Sequence, residues 1–134
     1  MTSTIIQQRE SKYCDMIRTT VARFGHATNA QILAKLQEQY PDLSATTVHR
    51  ATARLASRGE IGIAPNDPQG AMRYDSVAEP HDHFMCSSCG TLRNIDVVNE
   101  VASVVEKKLD GCEISGRITI TGVCKMCHKK EGNR

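Results

Sequence analysis

A chain of 134 residues with a net charge of +2 is near the size of one ordinary domain, or of two very small ones. With no Trp, two Phe and three Tyr, its core must be a small one of Ile, Leu, Val, Ala and Met, and a metal, a disulfide or a partner subunit is expected to brace it. No stretch approaches the roughly 20 apolar residues of a membrane span, and Met1 to Arg9 lacks the apolar core of a secretory leader. The expectation is a cytoplasmic protein with no membrane partner, in which six cysteines point to metal rather than to a disulfide framework.

The fold class expected is α+β. From about Gln8 to Phe24, Tyr13, Met16, Ile17, Val21 and Phe24 recur at helical steps, and Gly25 follows where a helix stops. Thr28 or Asn29 caps a second helix through Gln39, ended by Tyr40-Pro41. Ser44 caps a third, to about Ser57, with Val48, Ala51 and Leu55 inward, Arg50, Arg54 and Arg58 on another face, and Gly59 as terminator. Ile61–Ala64 and Met72–Asp75 flank a Pro/Gly/Asn/Asp loop and read as a hairpin. Helix, helix, basic helix and hairpin is the order of a winged helix-turn-helix, expected over residues 1–78.

Ser76 to Pro80 reads as a linker into a compact α/β unit, residues 79–134. His83–Cys86 and Thr91–Ile95 are predicted strands around a Cys-Ser-Ser-Cys-Gly knuckle. Val97–Leu109 is a predicted helix with Val101, Val104, Val105 and Leu109 on one side. Cys112–Val123 alternates and is predicted to be one long strand.

Cys86-x-x-Cys89 and Cys124-x-x-Cys127 are separated by the 34 residues from Gly90 to Val123. Four thiolates from two such turns suit the tetrahedron of structural zinc, and one ion there would supply folding energy directly. Two disulfides or four free thiols are the alternatives. Cys14 and Cys112 lack such partners and read as small buried apolar residues. Just before the first knuckle stand Asp75, His81, Asp82 and His83. Alternate strand residues share a face, so His81 and His83 can address one borderline divalent ion.

His81-Asp82-His83-Phe84-Met85-Cys86-Ser87-Ser88-Cys89-Gly90 resembles the signature of the ferric uptake regulator (Fur) family. Tyr40 to Val48, Gly122 to Cys127 and Gly25-His26-Ala27-Thr28 resemble further family segments. Arg73-Tyr74-Asp75 is similar to the family's peroxide-sensing (PerR) branch, in which Asp stands where iron-responsive members usually carry Glu. The resemblance implies a homodimeric, metal-dependent repressor, with residues 79–134 as its metal-binding dimerisation domain. Its regulatory ferrous iron or manganese would be held by His26, Asp75, His81 and His83, and peroxide would act through oxidation of His26 and His81. The family's fifth ligand is an acid where this chain has Asn94, and Asp96, two residues on, can take its place if the strand continues. Ser115-Gly116-Arg117 replaces a family histidine, His49 replaces a tyrosine that contacts bases, and the N-terminal helix reads as short.

In helix-turn-helix proteins the start of the third helix enters the major groove, so Ser44, Thr46, Thr47, His49 and Arg50 are the candidate readers of a double-stranded operator. Arg54 and Arg58 are candidate phosphate partners. An iron- or zinc-responsive uptake regulator without peroxide chemistry is the alternative within the family. A zinc hydrolase built on His81 and His83 is the alternative outside it, but no His-Glu-x-x-His motif supplies its general base.

Overall fold

The computed structural model describes residues 2–132, and the side chains of 12–130. The chain divides into two compact units, residues 1–79 and 80–134.

The first unit begins with α1 (Thr2–Phe24), β1 (His26–Thr28), α2 (Asn29–Gln37) and α3 (Ala45–Ser57), followed by β2 (Gly62–Ala64) and β3 (Arg73–Asp75). Helix α1 starts six residues before the predicted Gln8, so the N-terminal helix is not short. Thr28 caps α2 in a capping box: its side chain accepts from the Gln31 amide while Gln31 reaches back to the Thr28 amide. Ser44 caps α3 by accepting from the Thr47 amide at 3.2 Å. At the far end Gly59 has φ +71°, a left-handed turn that suits glycine, and the Glu60 amide returns to the Leu55 carbonyl at 2.9 Å.

The apolar stripes of the three helices meet in one core. Ile17 and Val21 of α1, Ile32 of α2 and Val48 and Leu55 of α3 are wholly or almost wholly buried. The sheet runs β1-β3-β2, antiparallel throughout, with Tyr74 of β3 packed on that core. The hairpin β2–β3 is the wing. Its loop is ordered by Asp67, whose Oδ1 accepts from the Gln69 and Ala71 amides. Arg73 is buried and donates to the carbonyls of Pro65 and Asn66. Burial holds its pKa below the ordinary arginine value, against the pull of Asp67.

The second unit comprises β4 (Asp82–Cys86), β5 (Leu92–Ile95), α4 (Val98–Lys108), β6 (Thr119–Gly122) and α5 (Lys125–Gly132). Its sheet runs β5-β4-β6, with β4 antiparallel to β5 and parallel to β6. Two expectations fail here. The long strand over Cys112–Val123 is a strand only at Thr119–Gly122, because the preceding segment finds no ladder along β4 beyond the bond from His83 to Ile118 and is tied instead to Glu106 of α4 through the Ile114 amide. Cys112 is exposed, since it follows the left-handed turn at Asp110 and Gly111 that ends α4. Helix α5 was not anticipated.

The core of this unit is thin. Among its described residues the buried apolar side chains are Cys86 and Val98, while Val104 is 56% exposed and Met126 67%. No described helix is long and apolar enough to cross a membrane.

Candidate metal centres and nucleic-acid interface

Parallel strands end at the same edge of a sheet, and this brings the two knuckles together. Cys86 lies opposite Gly122 in the β4–β6 register, and each strand runs on into its Cys-x-x-Cys turn. The four sulfurs of Cys86, Cys89, Cys124 and Cys127 lie within 4.8 Å of one another, with Cys89 and Cys124 at 3.7 Å. A tetrahedron with Zn–S bonds of about 2.3 Å has edges of about 3.8 Å. All six cysteines are free thiols, so the disulfide alternative is not what the geometry holds. The amides of Cys89 and Cys124 point at the Cys86 sulfur at 3.4 and 3.3 Å. These amides hold the Cys86 thiol down to about 6, against burial. The Thr91 hydroxyl, 3.0 Å from its sulfur, lowers Cys89. Cys127 is pushed up to about 12, chiefly by the Cys124 side chain. Crowded sulfurs cannot all become anions unaided; a divalent cation removes that conflict, and the four-thiolate donor set fits zinc.

Imidazole and carboxylate donors stand in each unit separately. In the first, His26 on β1 is register partner of Asp75 on β3, with Nε2 3.2 Å from Oδ2. Asp75 is fully buried and its Oδ1 accepts from the Val77 amide at 2.9 Å. Gly62, on the other side of Asp75, makes that turn possible, because a Cβ there would lie 2.5 Å from the Val77 carbonyl oxygen. In the second unit the rings of His81 and His83 stand 4.3 Å apart, and His81 Nε2 lies 3.0 Å from Oδ1 of Asn94. Strand β5 stops at Ile95, so Asp96 lies beyond the alternation that would set it beside Asn94.

Asp82 does not belong with these donors, although it stands between the two histidines. Its carboxylate turns to the other side of β4, is fully buried, and accepts from the Val97 and Val98 amides at 2.8 Å and the Ile118 amide at 2.9 Å. Burial alone would raise its pKa, but these amides and the Arg117 charge hold it below the ordinary carboxylate value. Helix α4 has no capping side chain of its own at Val97, so Asp82 caps it from β4.

On α3, Val48, Ala51, Thr52 and Leu55 are buried, while Thr46, His49 and Arg50, and Arg58 at its C-cap, are exposed. Ser44 and Thr47 are engaged in the cap, their hydroxyls 2.9 Å apart, and Arg54 is half-buried. Asn29 was read only as a possible cap, yet its side chain crosses to α3, reaching Thr52 and His49.

A winged helix with an exposed basic recognition helix, joined to an α/β unit with a zinc-type thiol cluster, defines a metal-binding, DNA-binding transcriptional regulator. The family profile described as "Ferric uptake regulator family" matches residues 4–115, and the chain belongs to that family, whose members are regulators and not enzymes. The chain is 28% identical over 122 residues to a peroxide-responsive repressor PerR of Staphylococcus epidermidis, covering 88% of this chain and 79% of that protein. It is 27% identical over 112 residues to the ferric uptake regulation protein of Bacillus subtilis, covering 79% and 74% respectively. The crystal structure of the Campylobacter jejuni peroxide stress regulator has the same fold, with a TM-score of 0.72, 19% identity, and coverage of 94% of this chain and 96% of that one.

Proposed function

We propose that the chain is a homodimeric repressor that binds a double-stranded operator through α3, carries structural zinc on Cys86, Cys89, Cys124 and Cys127, and senses peroxide through a regulatory ferrous iron or manganese site. The carrying observation is that two donor sets of different chemistry coexist: one all sulfur, the other imidazole and carboxylate, with His26 against buried Asp75 in one unit and His81 beside His83 in the other. Soft thiolates hold zinc, whereas a mixed imidazole–carboxylate set suits iron or manganese. An ion that recruited ligands from both units would favour one arrangement of them, which is how its binding would shift the equilibrium toward DNA. Asn94, or Asp96 in its stead, would complete the set.

Ferrous iron in that site would supply the electrons that reduce peroxide; manganese would fill it without doing so. Asp75 is fixed by the Val77 amide and holds His26, so the His26 ring is oriented before any ion arrives. An oxygen atom added to the ring of His26 or His81 would weaken it as a donor and release the operator.

The exposed apolar face of α4, with Val104, Val105 and Leu109, is the surface proposed for a second copy, because a unit with so thin a core gains from covering it. On DNA, Thr46, His49 and Arg50 would face base edges, Ser44 and Thr47 would present the helix start, and Arg54 and Arg58 would meet phosphate.

Mass spectrometry of iron-loaded protein treated with peroxide tests the sensing step. A gain of one oxygen on His26 or His81, absent with manganese, is expected. An unmodified protein that nevertheless needs iron or zinc to bind DNA supports instead a metal-uptake regulator, a reading favoured by the comparable identity to a ferric uptake regulation protein. His26→Ala should weaken the exchangeable metal and leave zinc at one per chain.

A further inference from the structure

Asn29 is the first residue of α2, and its side chain joins α2 to α3. Its Oδ1 accepts from the Thr52 hydroxyl at 2.8 Å, and its Nδ2 lies 3.2 Å from Nδ1 of His49. Thr52 is wholly buried, and its hydroxyl lies closer to Asn29 than to the carbonyls of Val48 at 3.0 Å or His49 at 3.2 Å. With Oδ1 turned to Thr52, the amide nitrogen faces the imidazole. An amide nitrogen only donates, so Nδ1 of His49 must supply the lone pair, and the ring hydrogen sits on Nε2. His49 is exposed on the same face of α3 as Thr46 and Arg50.

We propose that Asn29 and Thr52 lock His49 as a hydrogen-bond donor and so make it a specificity-determining residue of the operator contact. This rests on the reading of α3 as the DNA-facing helix. A donor at Nε2 is satisfied by a base that offers an acceptor in the major groove: N7 or O6 of guanine, N7 of adenine, or O4 of thymine. Cytosine offers an amino group there, which also donates, and is rejected. An unlocked imidazole could present either nitrogen and would lose that discrimination. Asn29 acts through His49 and is a positioning residue.

Two measurements on the zinc-loaded, metal-replete protein test this. Two-bond proton–nitrogen correlation spectra, with His49→Ala to assign the ring, should show His49 with its hydrogen on Nε2, and Asn29→Leu should give a mixture of the two forms. Selection from random duplexes should show wild-type protein disfavouring cytosine by about tenfold at one position of each half-site. That preference should vanish in His49→Ala and shrink in Asn29→Leu, whereas His49→Gln should shift it toward adenine, which glutamine reads with a donor and an acceptor together. A hydrogen on Nδ1 in the wild type overturns the proposal, as does a base preference that His49→Ala leaves intact at every position. A wild-type protein that prefers no sequence at all removes the DNA-facing reading of α3, and the proposal with it.

Discussion

Replacing Asp82 with alanine removes the acceptor for three backbone amides at once. The Val98 amide is buried, and those of Val97 and Ile118 are partly so. A buried donor left unsatisfied costs about 1–3 kcal/mol; with the two partly buried amides at the low end and Val98 nearer the middle, the loss is about 4 kcal/mol. That is a large share of the roughly 5–15 kcal/mol that holds a domain folded. Urea unfolding of zinc-loaded protein, followed by far-ultraviolet circular dichroism, measures it. Asp82→Asn keeps one accepting oxygen and should lose less. The sign of the pH effect follows from the depressed pKa. The contribution is complete above the unfolded value of 3.8 and disappears as pH falls through the lower folded value, so Asp82→Asn should flatten that acid limb. A midpoint for Asp82→Ala within about 0.5 kcal/mol of wild type would refute the reasoning, since that is the scale of an indifferent surface substitution.

Stripping zinc should raise amide exchange across residues 80–132 and spare the buried positions of α1 and α3 in residues 12–57; a uniform rise would show that the knuckle does not brace its own unit. Gly62→Ala sets a Cβ against the Val77 carbonyl and should displace the turn that holds Asp75, lowering affinity for the exchangeable ion by about tenfold or more in metal titrations. Unchanged affinity would detach Asp75 from the site. Arg58→Ala should reduce the slope of log affinity against log salt by about 1, and an unaltered slope would take Arg58 away from phosphate.

The winged helix was legible because its signals are local: Ser44 and Thr28 cap, Gly25 and Gly59 terminate, and the apolar residues between them keep a helical period. Strand β1 was not, since three residues, His26-Ala27-Thr28, carry no pattern to distinguish them from a turn. The four-cysteine cluster could be read from spacing, because each pair shares a single turn and zinc asks only for sulfurs at the corners. What spacing cannot supply is which strands run parallel, and that is what joins the knuckles. The overlong strand at Cys112–Val123 shows the converse. Alternation reports which side of a segment is apolar, while a ladder also needs a neighbour in register, and only Thr119–Gly122 has one. Asp82 stands in the same short cluster, but its role as the cap of α4 was not legible, because its partners Val97, Val98 and Ile118 are distant in sequence.

Successive residues of β4 look to opposite sides, so the strand works as a rocker with imidazoles on one arm and a carboxylate on the other. A tug on His81 or His83 would reach the head of α4 through a single peptide unit and the Asp82 carboxylate that caps it. Were the proposed ion bound there, the helix bearing Val104 and Leu109 would be wired to it over the shortest distance a chain permits.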